Sequence, residues 1–161
     1  MAAKKSDPLM LLAFVLVSLF AGLLGSLFTF PSIPTWYATL QKPPFNPPNW
    51  VFGPVWTTLY LLMGIAAYLV YREGFDKKEV KAAIYAFACQ LCLNAAWSIA
   101  FFGLHSIAGG MATIVLLWLA IALNLVLFYR ISRAAGLLLV PYLAWVSFAS
   151  VLNFSVLLLN P

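Results

Sequence analysis

The chain has 161 residues, of which 65% are hydrophobic and only 8% are charged. A soluble domain of this length has too little interior to hide so much apolar side chain, so the composition excludes a soluble globular protein and predicts that lipid surrounds most of the chain. The net charge of +5 predicts attraction to anionic lipid headgroups, and nucleic acid is not expected as a partner.

Five apolar segments are long enough to cross a bilayer as helices, which takes about 20 residues each. Their approximate bounds are 9–29, 50–71, 80–103, 107–129 and 134–158. The segments lack the alternation over about ten residues that barrel strands show, and the first has no small-x-small cleavage site of a signal peptide. The sequence therefore predicts an all-α integral membrane protein, in which residues 1–161 form a single bundle of five transmembrane helices.

The connection between the first two helices, residues 30–49, is rich in proline and aromatic residues. Seven of the ten prolines lie from Pro31 to Pro54, and Lys42 is the only charged residue of this connection. Proline fixes backbone angles and removes hydrogen-bond donors, so such a loop loses little entropy when it becomes ordered. We expect a long, semi-rigid lid over the bundle, with Lys42 as a candidate partner for a ligand carboxylate.

The distribution of Lys and Arg predicts the orientation in the membrane. With five spans, eight of the nine basic residues fall on the side of the N-terminus, and only Lys42 falls on the other side. Since an excess of Lys and Arg marks the cytoplasmic side, we expect a cytoplasmic N-terminus and a lid on the opposite face. All four acidic residues lie outside the spans, which argues against ion-coupled transport and against paired-carboxylate catalysis.

Polar residues inside the third span predict an inward-facing surface. Gln90, Asn94 and Ser98 recur at four-residue intervals and therefore share one helix face. Trp97 lies beside them. Exposing two amides to lipid would be costly, so this face should point into the bundle. Its polar groups serve either helix–helix hydrogen bonding or ligand binding.

Two other spans carry aromatic faces at helical spacing. Their members are Trp56 and Tyr60 in the second span, and Tyr142, Trp145, Ala149 and Leu152 in the fifth. Three such faces can enclose an apolar cavity with a few hydrogen-bonding groups, which is the usual composition of a small-molecule site. Aromatic walls favour a flat, conjugated ligand, because ring stacking adds about 1 kcal/mol per pair beyond burial.

The residues that most often bind metals or carry redox chemistry form no such pattern. Cys89 and Cys92 have a C-x-x-C spacing, but they lie in the middle of an apolar helix, where a thiol is inert. We therefore interpret them as small packing residues. His105 stands alone in the turn between the third and fourth spans, and it cannot join the two cysteines in a zinc site without breaking the third span. No metal is expected.

Small residues in the first and third spans are spaced so that helices can approach closely. They are Gly22, Gly25, Ser26, Ala82, Ala83 and Ala86. Such spacings also arise by chance in apolar sequence. A homodimer is nevertheless the expected assembly.

Three stretches of the sequence resemble the translocator protein family, also called the tryptophan-rich sensory protein or peripheral benzodiazepine receptor family. They are WYATLQKPPFNPPNWVFGPVWTTLYLLMGIA, QLCLNAAWSIAFF and PYLAWVSFASVLN. The resemblance runs through all five spans in order. It implies a five-helix membrane protein, often dimeric, that binds porphyrins, sterols and benzodiazepine-type drugs beneath the first loop. The ligand-binding residues that it implies are Tyr37, Pro47, Trp56, Tyr60, Asn94, Trp97, Ser98, Trp145, Ala149 and Leu152.

We therefore expect a membrane receptor or sensor for tetrapyrroles such as protoporphyrin and for related hydrophobic ligands, rather than an enzyme. Two alternatives remain open: a transporter of tetrapyrroles or sterols, and an enzyme that degrades porphyrin in light through Trp56, Trp97 or Trp145. No cofactor is expected beyond a porphyrin bound as a ligand. The short N-terminus and the lack of a basic C-terminal tail favour a prokaryotic cell membrane, with the mitochondrial outer membrane as the alternative for a eukaryotic source.

Overall fold

The computed structural model describes residues 7–161, and all regular structure in this part of the chain is helical. Five stretches are long and apolar enough to span a membrane: Pro8–Ser32, Asn49–Tyr71, Lys78–Gly103, Ile107–Ile131 and Arg133–Leu159. An all-helical protein with five helices suited to a membrane, as the sequence predicts, is therefore confirmed.

The helices follow each other with short connections, apart from the one between the first two spans. They are α1 (Pro8–Ser32), α2 (Trp36–Thr39), α3 (Asn49–Tyr71), α4 (Lys78–Ser98), a π-helical turn (Ile99–Gly103), α5 (Ile107–Ile131), α6 (Arg133–Leu138) and α7 (Val140–Leu159). Part of the expected loop 30–49 is helical, because α1 continues through Ser32 and the connection contains α2. The last span is divided at Leu139, where Pro141 has no backbone N–H to continue the hydrogen bonds of α6.

Side-chain caps mark where α1, α5 and α6 begin, and those of α1 and α5 are the shortest. The Asp7 carboxylate accepts a hydrogen bond from the backbone N–H of Leu9 at 3.1 Å, and Pro8 occupies the first helical position, where a missing N–H is harmless. The Ser106 hydroxyl accepts from the backbone N–H of Gly109 at 3.0 Å. These caps satisfy backbone donors that have no partner within the helix.

The packed core lies at the end of the bundle next to the α3–α4 connection. Its fully buried members include Met63, Ala66, Val70, Val80, Ala83, Ile121 and Phe128. Close approach of α1 and α3 requires Gly64, because a Cβ there would lie 2.6 Å from the Cα of Val15. The Asn124 amide joins α5 to α4 by donating to the carbonyl oxygen of Ala83 at 3.1 Å. The opposite end of the bundle, near α2, contains a cavity.

Two of the small residues in the first span are used in contacts within the chain. A Cβ at Gly22 would collide with the ring of Tyr60, and one at Gly25 would lie 2.8 Å from the Ser98 hydroxyl. These glycines therefore bring α1 against α3 and α4, which form the walls of the cavity.

The two cysteines do not pack inside the bundle, contrary to the interpretation from the sequence. Cys89 and Cys92 are both exposed on α4, whereas Gln90 and Asn94 are 1% and 2% exposed. The amides take the inward face because α4 can offer only one face to the bundle, and an amide that faces lipid is more costly than a thiol.

Candidate ligand-binding site

A cavity of about 380 Å³ lies among α1, α3, α4 and α7 beneath α2. Nine aromatic residues contribute to its lining: Phe30, Tyr37, Phe52, Trp56, Tyr60, Trp97, Phe101, Phe102 and Trp145. Among the described residues, no Asp, Glu, Lys, Arg or His lines it. Its size is typical of small-molecule sites, which occupy roughly 300–1,000 Å³. The cavity therefore suits an apolar ligand.

Four of the lining rings form a continuous stack across the cavity wall. Trp56 stacks on Tyr60 with the ring centroids 5.7 Å apart and on Trp97 at 6.4 Å. Trp97 in turn stacks on Phe101 at 5.8 Å, with an angle of 20° between the ring planes. Because the ring planes are nearly parallel, the four side chains face the cavity in a similar orientation. This arrangement favours a planar partner.

The π-helical turn at the end of α4 determines how Phe101 and Phe102 face the cavity. The backbone N–H of Leu104 bonds to the carbonyl oxygen of Ile99 at 2.8 Å, a five-residue step. The wider turn leaves the two neighbouring rings 4% and 8% exposed and edge-to-face at 4.8 Å. Turns of this kind occur often at functional sites. Here the turn provides two adjacent aromatic side chains from one helix end.

The floor of the cavity is a hydrogen-bonded bridge between three helices. The Tyr60 hydroxyl donates to the Asn94 amide oxygen at 2.5 Å, and the Asn94 amide nitrogen donates to the Tyr142 hydroxyl at 2.8 Å. All three residues are buried. Both polar atoms of the Asn94 side chain therefore have partners within the protein.

Tyr37 of α2 covers the cavity. Its ring is 6% exposed and lies 6.3 Å from Phe101 and 5.6 Å from Phe102. Its hydroxyl donates to the Asn46 side chain at 3.0 Å. Burial raises the pKa of the Tyr37 hydroxyl above 10, and the hydrogen bond to Asn46 offsets part of that rise. The phenol is therefore neutral at physiological pH.

Several contacts hold the connection that carries α2 to the bundle, and two of them lie at opposite ends of α2. Trp36 stacks on His105 with the centroids 4.7 Å apart and the planes at 15°. At the other end, the Asn160 side chain accepts from the backbone N–H of Gln41 and donates to its carbonyl oxygen, both at 2.9 Å. Opening over the cavity therefore requires breaking contacts with the α4–α5 turn and with the end of α7.

Comparison with known proteins assigns the chain to a family. Residues 14–159 match the sequence model of the TspO/MBR family. The chain belongs to the TspO/MBR family. It is 52% identical over 141 residues to the Tryptophan-rich protein TspO of Chlorobaculum tepidum, which covers 87% of this chain and 89% of that relative. It is 48% identical over 153 residues to the Tryptophan-rich protein TspO of Archaeoglobus fulgidus, with 94% and 97% covered.

The similarity extends to animal members of the TspO/MBR family. The chain is 45% identical over 123 residues to the human Translocator protein, which covers 75% of this chain and 72% of that relative. The resemblance noted from the three sequence stretches is thereby confirmed. Multi-pass membrane character follows from the family and from the five helices that suit a bilayer.

The cavity of this TspO/MBR family member is lined by most of the residues that the sequence predicts to bind the ligand. They are Tyr37, Trp56, Tyr60, Asn94, Trp97, Ser98, Trp145, Ala149 and Leu152. Gln90 shares the inward face of α4 but lies outside the lining, where its amide nitrogen contacts the Met63 sulfur at 3.6 Å. The helical spacing therefore predicts the common face, but it does not show where the cavity ends.

The structure does not place two predicted residues, Pro47 and Lys42, in the cavity lining. The Lys42 ammonium donates to the carbonyl oxygen of Leu40 at 3.2 Å and lies 4.6 Å from the centre of the Tyr37 ring. Its charge is therefore accommodated within the α2 connection itself. Pro47 accepts a hydrogen bond on its carbonyl oxygen from Asn46 at 3.1 Å, and it stabilises the connection.

The sequence interpretation missed the contribution of α1 and of the helix ends. From α1, the missed residues are Leu19, Gly22, Leu23, Gly25, Ser26, Thr29 and Phe30, and elsewhere they include Ile33, Phe101, Phe102, Asn153 and Val156. In α1 nearly every residue is apolar, so no face stands out. Asn153 could have been predicted from the sequence, because it follows the predicted Ala149 by one helical turn.

Proposed function

We propose that the protein is a membrane receptor or sensor that binds a planar hydrophobic ligand in the cavity beneath α2. Protoporphyrin-like tetrapyrroles are the first candidates, and sterols and benzodiazepine-type drugs are further ones. The observation that carries the proposal is the stack of Trp56, Tyr60, Trp97 and Phe101 in an uncharged cavity. Each additional ring pair contributes about 1 kcal/mol beyond burial, so a wide conjugated ligand gains more here than a branched aliphatic one.

In this proposal the connection 33–48 is a lid. Tyr37 lines the cavity from above, and the connection is fixed to the bundle through Trp36 and Asn160. A lid that is already ordered before binding loses little entropy when the ligand arrives. The prolines of this segment support that role, because they limit its freedom in the open state as well.

Titration of the purified protein with protoporphyrin, followed by tryptophan fluorescence, tests the proposal. We expect saturable quenching, and we expect Trp56→Phe combined with Trp145→Phe to weaken both binding and quenching. Trp50→Phe is the matched control, since Trp50 is 75% exposed and lies outside the lining. Quenching that does not saturate, or that is unchanged in the double variant, would refute porphyrin binding in this cavity.

Light-dependent degradation of the porphyrin is a second candidate function. The specific observation in its favour is that Trp56, Trp97 and Trp145 all line the same cavity, so that three oxidisable rings surround one ligand. Loss of porphyrin absorbance under illumination measures it. Product formation that persists after all three residues are changed to Phe would reduce the protein to a scaffold for spontaneous photochemistry.

We also infer that the end of the bundle with the α3–α4 connection faces the cytoplasm, most simply in a prokaryotic cell membrane. The exposed residues Lys77 and Lys78 lie in that connection or directly after it, and Arg130 and Arg133 lie at the same end. Basic residues concentrate on the cytoplasmic side of membrane proteins. Lys4 and Lys5, which contribute to the same prediction, lie outside the described residues.

A homodimer through the outer face of α4 is the assembly that we propose. Ala82, Cys89 and Cys92 are exposed there, and small residues let two helices approach closely in a membrane. Because Gly22 and Gly25 are used within the chain, α1 is not the favoured surface. Oxidative cross-linking through Cys89 in native membranes, absent in Cys89→Ser together with Cys92→Ser, is the expected result.

A further inference from the structure

Two buried asparagines line the cavity, and they differ in how their amides are satisfied. Both amide atoms of Asn94 are bonded to tyrosine hydroxyls, as described above. Asn153 is 3% exposed, and among residues 7–161 neither of its amide atoms has a hydrogen-bond partner. Of the two, only Asn153 therefore has a complete set of free hydrogen-bonding groups for a ligand.

The surroundings of Asn153 offer no partner from within the bundle. Helix α5 approaches it with Gly110, and a Cβ at that position would lie 3.1 Å from the Asn153 amide nitrogen and 2.6 Å from the Phe101 ring. The same helix face continues with Leu152 and Val156, which also line the cavity. A polar group buried without a partner is unfavourable, and a ligand in the cavity that Asn153 lines would supply the missing hydrogen bond.

Two other residues of the lining carry unpartnered donors. The indole N–H groups of Trp97 and Trp145 are buried and have no hydrogen-bond partner in the described part of the chain. Together with the Asn153 amide nitrogen they form a set of donors without a nearby cation. A carboxylate ion would be poorly stabilised in such a site, because burying a charge away from a counter-charge is costly. A neutral oxygen acceptor needs a hydrogen-bond donor but no counter-charge.

We propose that Asn153 is the polar anchor of the cavity and binds a neutral carbonyl-type acceptor, such as an ester, amide or un-ionised carboxyl group, on the edge of a planar ligand. This inference rests on the proposed function and makes it more specific. Ring stacking on Trp56 and Trp97 binds the ligand's faces, while the amide recognises one edge. Asn153 should therefore give different affinities to ligands that differ only in this edge.

The test compares two neutral porphyrins of similar size, mesoporphyrin dimethyl ester, which has carbonyl groups, and etioporphyrin, which has only alkyl substituents. Both are titrated by tryptophan fluorescence into the wild-type protein and into Asn153→Leu. We expect the Kd of the ester to rise about five- to tenfold in the variant, the effect of one hydrogen bond. The Kd of etioporphyrin should stay within about twofold.

Asn124→Leu is the matched control, because Asn124 is equally buried at 1% but lies outside the cavity lining. It should leave the ratio of the two affinities unchanged. Since Leu is apolar and close to Asn in size, Asn153→Leu should unfold at the same temperature as the wild type or above it. A variant that fails to fold would assign Asn153 a structural role and overturn the proposal.

Other outcomes distinguish a failure of the anchor from a failure of the proposed function. If the wild type binds both porphyrins and Asn153→Leu weakens neither or weakens both equally, the anchor is refuted and the proposed function stands. If the wild type binds protoporphyrin but neither of these two porphyrins, the anchor alone is refuted. If it binds none of the three, porphyrin binding in the proposed function fails and the anchor fails with it.

Discussion

Asn94 connects the floor of the cavity to the stability of the bundle. Its amide joins Tyr60 of α3 to Tyr142 of α7, with distances of 2.5 and 2.8 Å. Hydrogen bonds inside a membrane are modest when made, but a buried hydroxyl without a partner is expensive. Asn94 therefore lines the cavity and also holds α3, α4 and α7 together.

Asn94→Leu should lower the free energy of unfolding by about 2 kcal/mol, because two phenol hydroxyls lose their partner. Unfolding by SDS in mixed micelles measures it. Tyr142→Phe removes only one of the two bonds and should have a smaller effect. Equal stability of Asn94→Leu and the wild type would show that the bridge contributes nothing to folding.

The residue-scale predictions from the sequence succeed where the backbone is a regular α-helix. Trp56, Asn94 and Ala149 could be assigned to an inward face because a 3.6-residue period places polar or aromatic side chains in register. Lys42 could not be placed in the same way. A lone charge in an aromatic segment suggests a ligand partner, but a backbone carbonyl and the Tyr37 ring accommodate it locally.

At the scale of elements, the crossing of α1 and α3 depends on Gly64. Gly64→Ala places a Cβ 2.6 Å from the Val15 Cα, so the two backbones must separate, which should destabilise the protein by about 1–3 kcal/mol. Gly53→Ala in the same helix meets nothing within 4 Å and should stabilise it by up to about 1 kcal/mol. Thermal unfolding in detergent compares the two. A change of the same sign in both would contradict the close crossing.

The attachment of the lid to α7 predicts a kinetic effect. Asn160→Ala removes both hydrogen bonds to the Gln41 backbone, so the closed state loses stability and porphyrin should dissociate roughly tenfold faster. Stopped-flow displacement measures the dissociation rate. Ser155→Ala is the control, because its hydroxyl bonds only to its own helix, at Val151. An unchanged rate would mean that the ligand leaves without displacing this end of the lid.

The π-helical turn and α1 show why the elements were only partly predictable. A sequence read with a constant helical period places Phe101 and Phe102 about 100° apart, and nothing local marks the extra residue that turns both inward. In α1 the uniform hydrophobicity leaves no contrast between faces. Only the spacing of Gly22 and Gly25 indicated close contacts. Their partners on α3 and α4 are identified by the structure and not by the sequence.

At the scale of the whole molecule, the count and order of spanning helices followed from composition, since five apolar runs of bilayer length allow few alternatives. The orientation rests on charge and remains a prediction. In a background of Cys89→Ser and Cys92→Ser, a membrane-impermeant maleimide should label Leu104→Cys on intact cells. It should label Lys77→Cys only after permeabilisation, because that residue lies at the basic end. The reverse pattern would invert the topology and place the lid in the cytoplasm.

The five-residue step between Ile99 and Leu104 also bears on how such proteins diversify. A π-helical turn is one residue longer than the α-helical segment that would cover the same rise. Deleting one codon within Ile99–Gly103 would therefore restore the ordinary helical period and rotate one phenyl ring out of the cavity, with no amino-acid exchange elsewhere. Such a deletion should therefore change which ligands the cavity accepts, although no residue is exchanged.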